Sequence, residues 1–317
     1  MKYSMPVSKI GENALLKGYR KKFPLSKEVY LGSGDDAAVL YRDKSSYDLL
    51  TTDFVIEGRH FTLAKATGHE IGWKAMARNL SDIAAMGGRP VAAVVGLACP
   101  KKTPLQLLRA IERGLKRASQ IYKCPIVGGD LSTADKITVA VTIMGRVEKK
   151  CLIRRQGAHT GDLILCTGML GGSIFGKHMR FIPRLKEARF LSSDVRPHAM
   201  IDISDGLVQD LQRVLVESKK GARLFKGQIP LSAEVRKRYK KKCIQLEHAL
   251  FDGEDYELLF TMSPNAAERL FSRAKRKKIR TRFTVIGSVI KKPGIVLIND
   301  DGAREKLPIK GYEHFKA

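Results

Sequence analysis

Apolar segments in this chain repeatedly end beside an acid set among glycine, serine or threonine, and that pattern limits the possible folds more than any other feature. Asp35 and Asp36 stand in GSGDDAAVL, and Asp53 closes YDLLTTD. Asp130 follows the glycines of PIVGGDLS, Asp202 and Asp205 lie in IDISDGL, and Glu254 and Asp255 precede YELLF. Acids at strand ends converge on one side of a sheet, where loops build sites on a rigid scaffold. Asp82 is the exception. In GHEIGWKAMARNLSDIAAMGG (68–88), Ile71, Met76, Leu80, Ile83 and Met86 recur near helical spacing. The spacing predicts a helix that Gly87 and Gly88 stop, with Asp82 beside its apolar face. A carboxylate there costs free energy unless it is paired or bound to a cation. Asn79, three residues earlier, shares its face.

The remaining periodicities give strands and helices in both halves. AAVLY, YDLLTTD, VAAVVGLAC, KITVAVTIMGRV, LILCT, YELLFTM, FTVIGSV and GIVLIN read as strands, VAAVVGLAC as a buried one. PIVGGDLS reads as a short strand running into a glycine loop. TPLQLLRAIERGLKRASQIY and PNAAERLFSRAKRK read as helices, and helical segments are expected through about 184–217. The charged stretch EKKCLIRRQGAHTGD (148–162) separates the halves. The expectation is an α/β fold of two mixed domains, 1–148 and 149–317.

Several carboxylates with hydroxyls and glycines suit hard-cation and phosphate chemistry. Magnesium takes one or two carboxylates, waters and substrate phosphate oxygens, and glycines let main-chain N–H groups approach phosphate. Each motif alone has a plainer reading: ISDG is also a helix N-cap and GGD a common turn. GGSIFGKH (171–178) approaches a P-loop, but His178 stands where a hydroxyl should hold the metal, so it is read as a turn and helix start. No G-x-G-x-x-G, G-x-S-x-G or H-E-x-x-H occurs.

Composition narrows the class further. The formal net charge is +26, with basic runs at 236–243 and 272–282. Aromatic residues are sparse in both, so they are read as solvated helix faces and not as a nucleic-acid footprint. The five cysteines are scattered without a C-x-x-C pair, and that odd set argues against a disulfide framework or a zinc site. There is no apolar run long enough for a membrane span, and the start of the chain lacks a signal-peptide core, so the cytoplasm is expected.

Taken in order, GDDAAV, TTDFVIEGRHF, GWKAMARNLSDIAAMGGRP, VGGDLS, TGMLGGS, IDISDGL, GEDYELLFT and the terminal KGYEHF resemble the thiamine-monophosphate kinase family, within the aminoimidazole-ribonucleotide-synthetase-like superfamily. The likeness runs from about Gly32 to the end of the chain. It implies an N-terminal domain that forms a homodimer through its β-strands, a C-terminal α/β domain, and ATP-dependent conversion of thiamine monophosphate to thiamine diphosphate with several Mg²⁺ ions. By motif position it implies Asp36, Thr51, Thr52, Asp53, Asp82, Asp130, Asp202 and Asp205 as metal ligands. Gly129, Asp130, Arg155 and Ser204 are implied as ATP contacts, and His60, Glu254 and Tyr312 as contacts to thiamine phosphate. No residue is implied as a general base. Two positions depart from the family pattern: Glu112 stands where a nucleotide-contacting tyrosine is frequent, and Asp252 replaces the first glycine of GGEDYEL. The alternatives are a selenophosphate- or aminoimidazole-ribonucleotide-synthetase type of enzyme, or a basic nucleic-acid-binding protein on the same scaffold. The first normally carries a reactive N-terminal cysteine, whereas the first cysteine here is Cys99.

Overall fold

Alternation in the N-terminal half builds one sheet, seen in a computed structural model that describes residues 6–11, 14–16, 18–19, 25–313 and 315. Its strands are β1 (Val29–Leu31), β2 (Ala38–Tyr41), β3 (Ser46–Ile56), β4 (Arg89–Cys99), β5 (Ile126–Thr133) and β6 (Thr138–Glu148), in the order β1-β2-β3-β6-β4-β5. Along β3, Tyr47, Leu49, Thr51 and Val55 are buried, while Leu50, Thr52 and Phe54 point to the other face and are exposed. The strand period of two produces that split.

Helix α1 (Gly68–Ala85) covers the inner face, and α2 (Leu105–Tyr122) packs on α1. Thr67 and Glu70 close a capping box at the start of α1. Gly72 and Gly114 mark where the two helices cross. A Cβ on either would lie 2.0 Å from the facing main chain, so no larger residue allows this approach.

The C-terminal half forms a second sheet from β7 (Leu163–Thr167), β8 (Ala199–Asp202), β9 (Gly221–Phe225), β10 (Leu258–Met262), β11 (Phe283–Ile290), β12 (Gly294–Ile298) and β13 (Arg304–Lys306). The order is β13-β12-β9-β11-β7-β10-β8. Each sheet is antiparallel apart from one parallel pair, β4 with β5 and β9 with β12. Helices α4 (Leu207–Ser218) and α6 (Lys242–Phe251) close one face of the second sheet over Ile201, Leu224 and Leu259. Helices α3 (Leu185–Phe190) and α7 (Pro264–Arg276) close the other, and Ala84 and Ala85 of α1 join them there. Helix α5 (Ala233–Arg238) lies at the surface before α6. Helix α1 therefore belongs to both cores, and that places Asp82 between the sheets.

Three expectations fail. The glycines of PIVGGDLS do not open a loop: β5 runs straight through them, and a Cβ on Gly129 would sit 1.9 Å from the Val95 carbonyl. Strand β4 is not buried on both sides, because Val94 lies on the open face of the sheet. The stretch 184–217 is not wholly helical, because β8, four buried residues between two helices, lies within it. The residues of GGSIFGKH make two short 3₁₀ turns, Ser173–Phe175 and Lys177–Met179. The start of the chain lies partly outside the described residues, as does His314 in the terminal motif. Among the described residues no helix is long and apolar enough to cross a membrane.

Candidate active site

The acids of three motifs meet where α1 passes between the sheets. Asp36 comes from the turn before β2, Asp82 from α1, and Asp202 from the end of β8. One carboxylate oxygen of each lies within 4.8 Å of the others. The Thr51 hydroxyl, on the inner face of β3, donates to Asp82 Oδ2 at 2.5 Å, and Ser81 donates to Asp202 Oδ2 at 2.5 Å. Arg155 donates to Asp36 Oδ1 through Nη2 at 2.6 Å and Nε at 3.2 Å, and its main-chain N–H donates to Asp35.

The electrostatics are those of a site that wants a cation. Burial pushes the Asp82 carboxyl well above the ordinary range, and the charges of Asp53, Asp202 and Asp36 push it further. Burial likewise raises Asp202, with Asp36 adding to it, and raises Asp35 to about 7. Asp36 Oδ2 is buried without a hydrogen-bond partner. An orphaned carboxylate oxygen facing two further acids fits a hard divalent ion, which takes oxygen ligands.

Asp53 shares the inner face of β3 and is held by Arg78 Nη2 at 3.2 Å. Asp205 is held by Arg213 at 2.5 Å, and its charge reaches Asp53. Ser204 follows Asp202 closely, its N–H donating to Asp210 and its carbonyl accepting from Glu254. Tyr312 donates its main-chain N–H to the Asp205 carbonyl at 3.0 Å, so the chain end returns to this loop.

The structure does not bring every implied residue to the cluster. The Thr52 hydroxyl points to the open face, where it meets Thr142 and the Val141 carbonyl, because neighbours on a strand alternate. Gly129 and Asp130 lie on β5, three strand spacings from β3, or about 14 Å. The register Asp130↔Gly96↔Ala140↔Phe54 puts the Asp130 side chain on the open face as well. Glu112 is exposed on α2. Asp252 accepts from the Gly172 N–H and pairs with His248 at 2.8 Å, so this departure pins its loop.

A second polar cluster was not foreseen. Lys74 is fully buried, and its Nζ reaches Glu254 at 2.6 Å, His178 Nδ1 at 2.8 Å and the His60 carbonyl at 2.9 Å. It thereby joins His60 and Glu254, two of the residues implied to touch thiamine phosphate. His60 Nδ1 accepts from the Ile56 N–H at 3.0 Å. Burial lowers Lys74 to about 8 against the pull of Glu254. Burial opposes ionisation of Glu254 too, but His178 and Lys74 outweigh it and bring that carboxyl to about 2. The signal was present: Lys74, Arg78 and Asp82 are spaced by four, so they share one face of α1. His178, which spoils the P-loop pattern, binds Glu254 at 2.7 Å.

Comparison with known proteins identifies the family. Residues 34–147 match the N-terminal domain of the AIR synthase related protein family, and residues 161–300 match its C-terminal domain. A thiamine-monophosphate kinase of Rhodopirellula baltica is 40% identical over 264 residues, covering 80% of this chain and 82% of that protein. The Bacillus subtilis thiamine-monophosphate kinase is 32% identical, covering 91% and 94%. A solved structure described as AaThiL complexed with AMPPCP and TMP superposes with a TM-score of 0.85 at 30% identity, covering 98% of this chain and 99% of that one. With that extent of likeness, the chain belongs to the thiamine-monophosphate kinase family.

Proposed function

We propose that this chain transfers the γ-phosphoryl group of ATP to thiamine monophosphate, giving thiamine diphosphate and ADP, at the Asp36–Asp82–Asp202 cluster. The observation that carries the reading is the convergence of three carboxylates, one buried and two half-buried, one of them with an unpartnered oxygen, in a family whose solved member holds AMPPCP, an ATP analogue, with TMP. Asp36, Asp82 and Asp202 would hold Mg²⁺, and Asp53 and Asp205, whose charges reach that region, would be candidates for further ions. Bound Mg²⁺ would neutralise the facing phosphates and steady in-line transfer.

The chain's own residues account for the rest. Near pH 7 the acceptor phosphate is already mostly dianionic, its second pKa being about 6, so no general base is required. The nearby basic groups are engaged in the fold: His60 Nδ1 accepts a main-chain N–H, and Lys74 is enclosed by Glu254, His178 and the His60 carbonyl. Two unit charges 4 Å apart repel by about 4 kcal/mol at an effective dielectric of 20, and Arg155, already at Asp36, is placed to offset such repulsion. Thr51 orients Asp82 and Ser81 orients Asp202.

We further propose that the working form is a homodimer built on the open face of the first sheet, with 1–148 as the dimerising unit and 149–317 closing over the nucleotide. Phe54 is 53% exposed on that face, beside Leu50, Val94 and Met144, an apolar surface on a folded sheet. Asp130 and Gly129, remote from their own chain's cluster, would then serve a second copy. The basic runs, exposed on α5, α6 and α7, are read as solvated faces. Lys277 and Arg273 are partly engaged by Asp194.

A coupled assay with ATP, Mg²⁺ and thiamine monophosphate should yield ADP and thiamine diphosphate in step. No turnover would reject the activity. Asp130→Asn and Asp82→Asn, each inactive alone, should on mixing regain about a quarter of wild-type activity if half of the dimers are mixed and each has one intact site. No recovery after subunit exchange would reject the shared site.

A further inference from the structure

At the end of β8 opposite Asp202, two histidines and an aspartate meet at the surface. Asp162 stands at the entry to β7, His159 on the turn before it, and His198 at the entry to β8. Strand β10 runs between β7 and β8, and the His198 N–H donates to the Thr261 carbonyl at 2.8 Å. Asp202 lies four residues further along, about 13 Å at strand spacing, so this group is separate from the acidic cluster.

His198 Nδ1 is 2.9 and 3.0 Å from the two Asp162 oxygens and 3.1 Å from His159 Nδ1. His159 Nδ1 lies 4.0 Å from Asp162 Oδ2. A ring nitrogen offers one in-plane direction, as an N–H or as a lone pair. His198 Nδ1 cannot serve a carboxylate and a second ring nitrogen well at once, yet all three groups point at one place. A cation there would take a lone pair from each. Zinc ligands at 2.0–2.1 Å in a tetrahedron stand about 3.3 Å apart, inside the span between 2.9 Å and 4.0 Å seen here.

The surroundings are built rather than incidental. The Asp162 side chain is 4% exposed, and its Oδ2 also accepts the His159 N–H at 2.8 Å. Its main chain is fixed by Val289, and the Ser218 hydroxyl accepts from the N–H groups of Gly157 and Ala158. The His198 side chain is 34% exposed and that of His159 69%, which leaves a solvent side for ion entry and a water ligand. Two imidazoles with one carboxylate suit zinc, cobalt or nickel better than magnesium or calcium.

We propose that His159, Asp162 and His198 bind a zinc-type transition-metal ion, which clips the segment between the sheets to the start of β8. The test uses the full chain in excess Mg²⁺ with Co²⁺ as probe, followed by visible absorption and thermal unfolding. The expected result is about one Co²⁺ per chain with a tetrahedral-type spectrum, displaced by Zn²⁺, and a raised Tm. His159→Ala removes an exposed ring and should fold. It should weaken Co²⁺ binding by at least about tenfold with Mg²⁺-dependent turnover unchanged, and Asp82→Asn should leave the Co²⁺ signal intact. Absent Co²⁺ binding, binding unaltered in His159→Ala, or a signal lost in Asp82→Asn would each overturn the proposal.

Discussion

Two buried charge clusters share helix α1 and differ in what they lack. Around Asp82 like charges converge, and an oxygen of Asp36 is left unpartnered. Around Lys74, two turns earlier, opposite charges meet: Lys74 Nζ lies 2.6 Å from Glu254, and His178 Nδ1 lies beside both. The first arrangement is costly until a cation arrives, whereas the second is finished without one. Burial alone does not mark a ligand site; burial together with an unbalanced charge does.

The largest effect is expected from Lys74→Met. It leaves Glu254 enclosed with only His178 to balance it, and should cost about 3–5 kcal/mol of folding stability, read by denaturant unfolding. A loss below ~1 kcal/mol would erase the contrast, since the cluster would then not be self-completing. Asp82→Asn should behave in the opposite way. Removing one of several like charges should leave unfolding in EDTA unchanged or slightly raised, while kcat falls by about 10²- to 10³-fold. A variant with normal kcat would remove Asp82 from the chemistry.

The smallest effect concerns pH. Asp35, Asp82 and Asp202 have raised carboxyl pKa values in the folded chain, against 3.8 unfolded. The folded state therefore holds more protons. The stability these groups contribute is full below about pH 3.8 and declines as pH rises toward and past 7, the value of Asp35. Mg²⁺ should cancel that decline by binding the ionised forms. The Tm difference between Mg²⁺ and EDTA should be near zero around pH 4 and reach roughly a few degrees above pH 7. A difference constant across that range would contradict the assignment.

Most of the first sheet was legible because its strands are long and alternate, as β3 and β6 do. Strand β8 was not, because three apolar residues and an aspartate between helical signals carry no period. The glycines of β5 misled for a physical reason: they serve a close strand approach, whereas the pattern Gly-Gly-Asp ordinarily marks a turn. In the site, acids beside glycine turns gave Asp36 and Asp202, and an unpaired acid on a helix face gave Asp82. Lys74 escaped because it lies among apolar residues that read as core. The facing of Thr52 and Asp130 followed from strand register, which depends on pairing partners distant in sequence.

The bare apolar side of the first sheet has one more consequence. If a second copy covers it, as proposed, folding is coupled to mass action, so the robustness of this chain and its catalytic output would both depend on how much of it is present. Dilution would then act as an inhibitor without occupying any pocket.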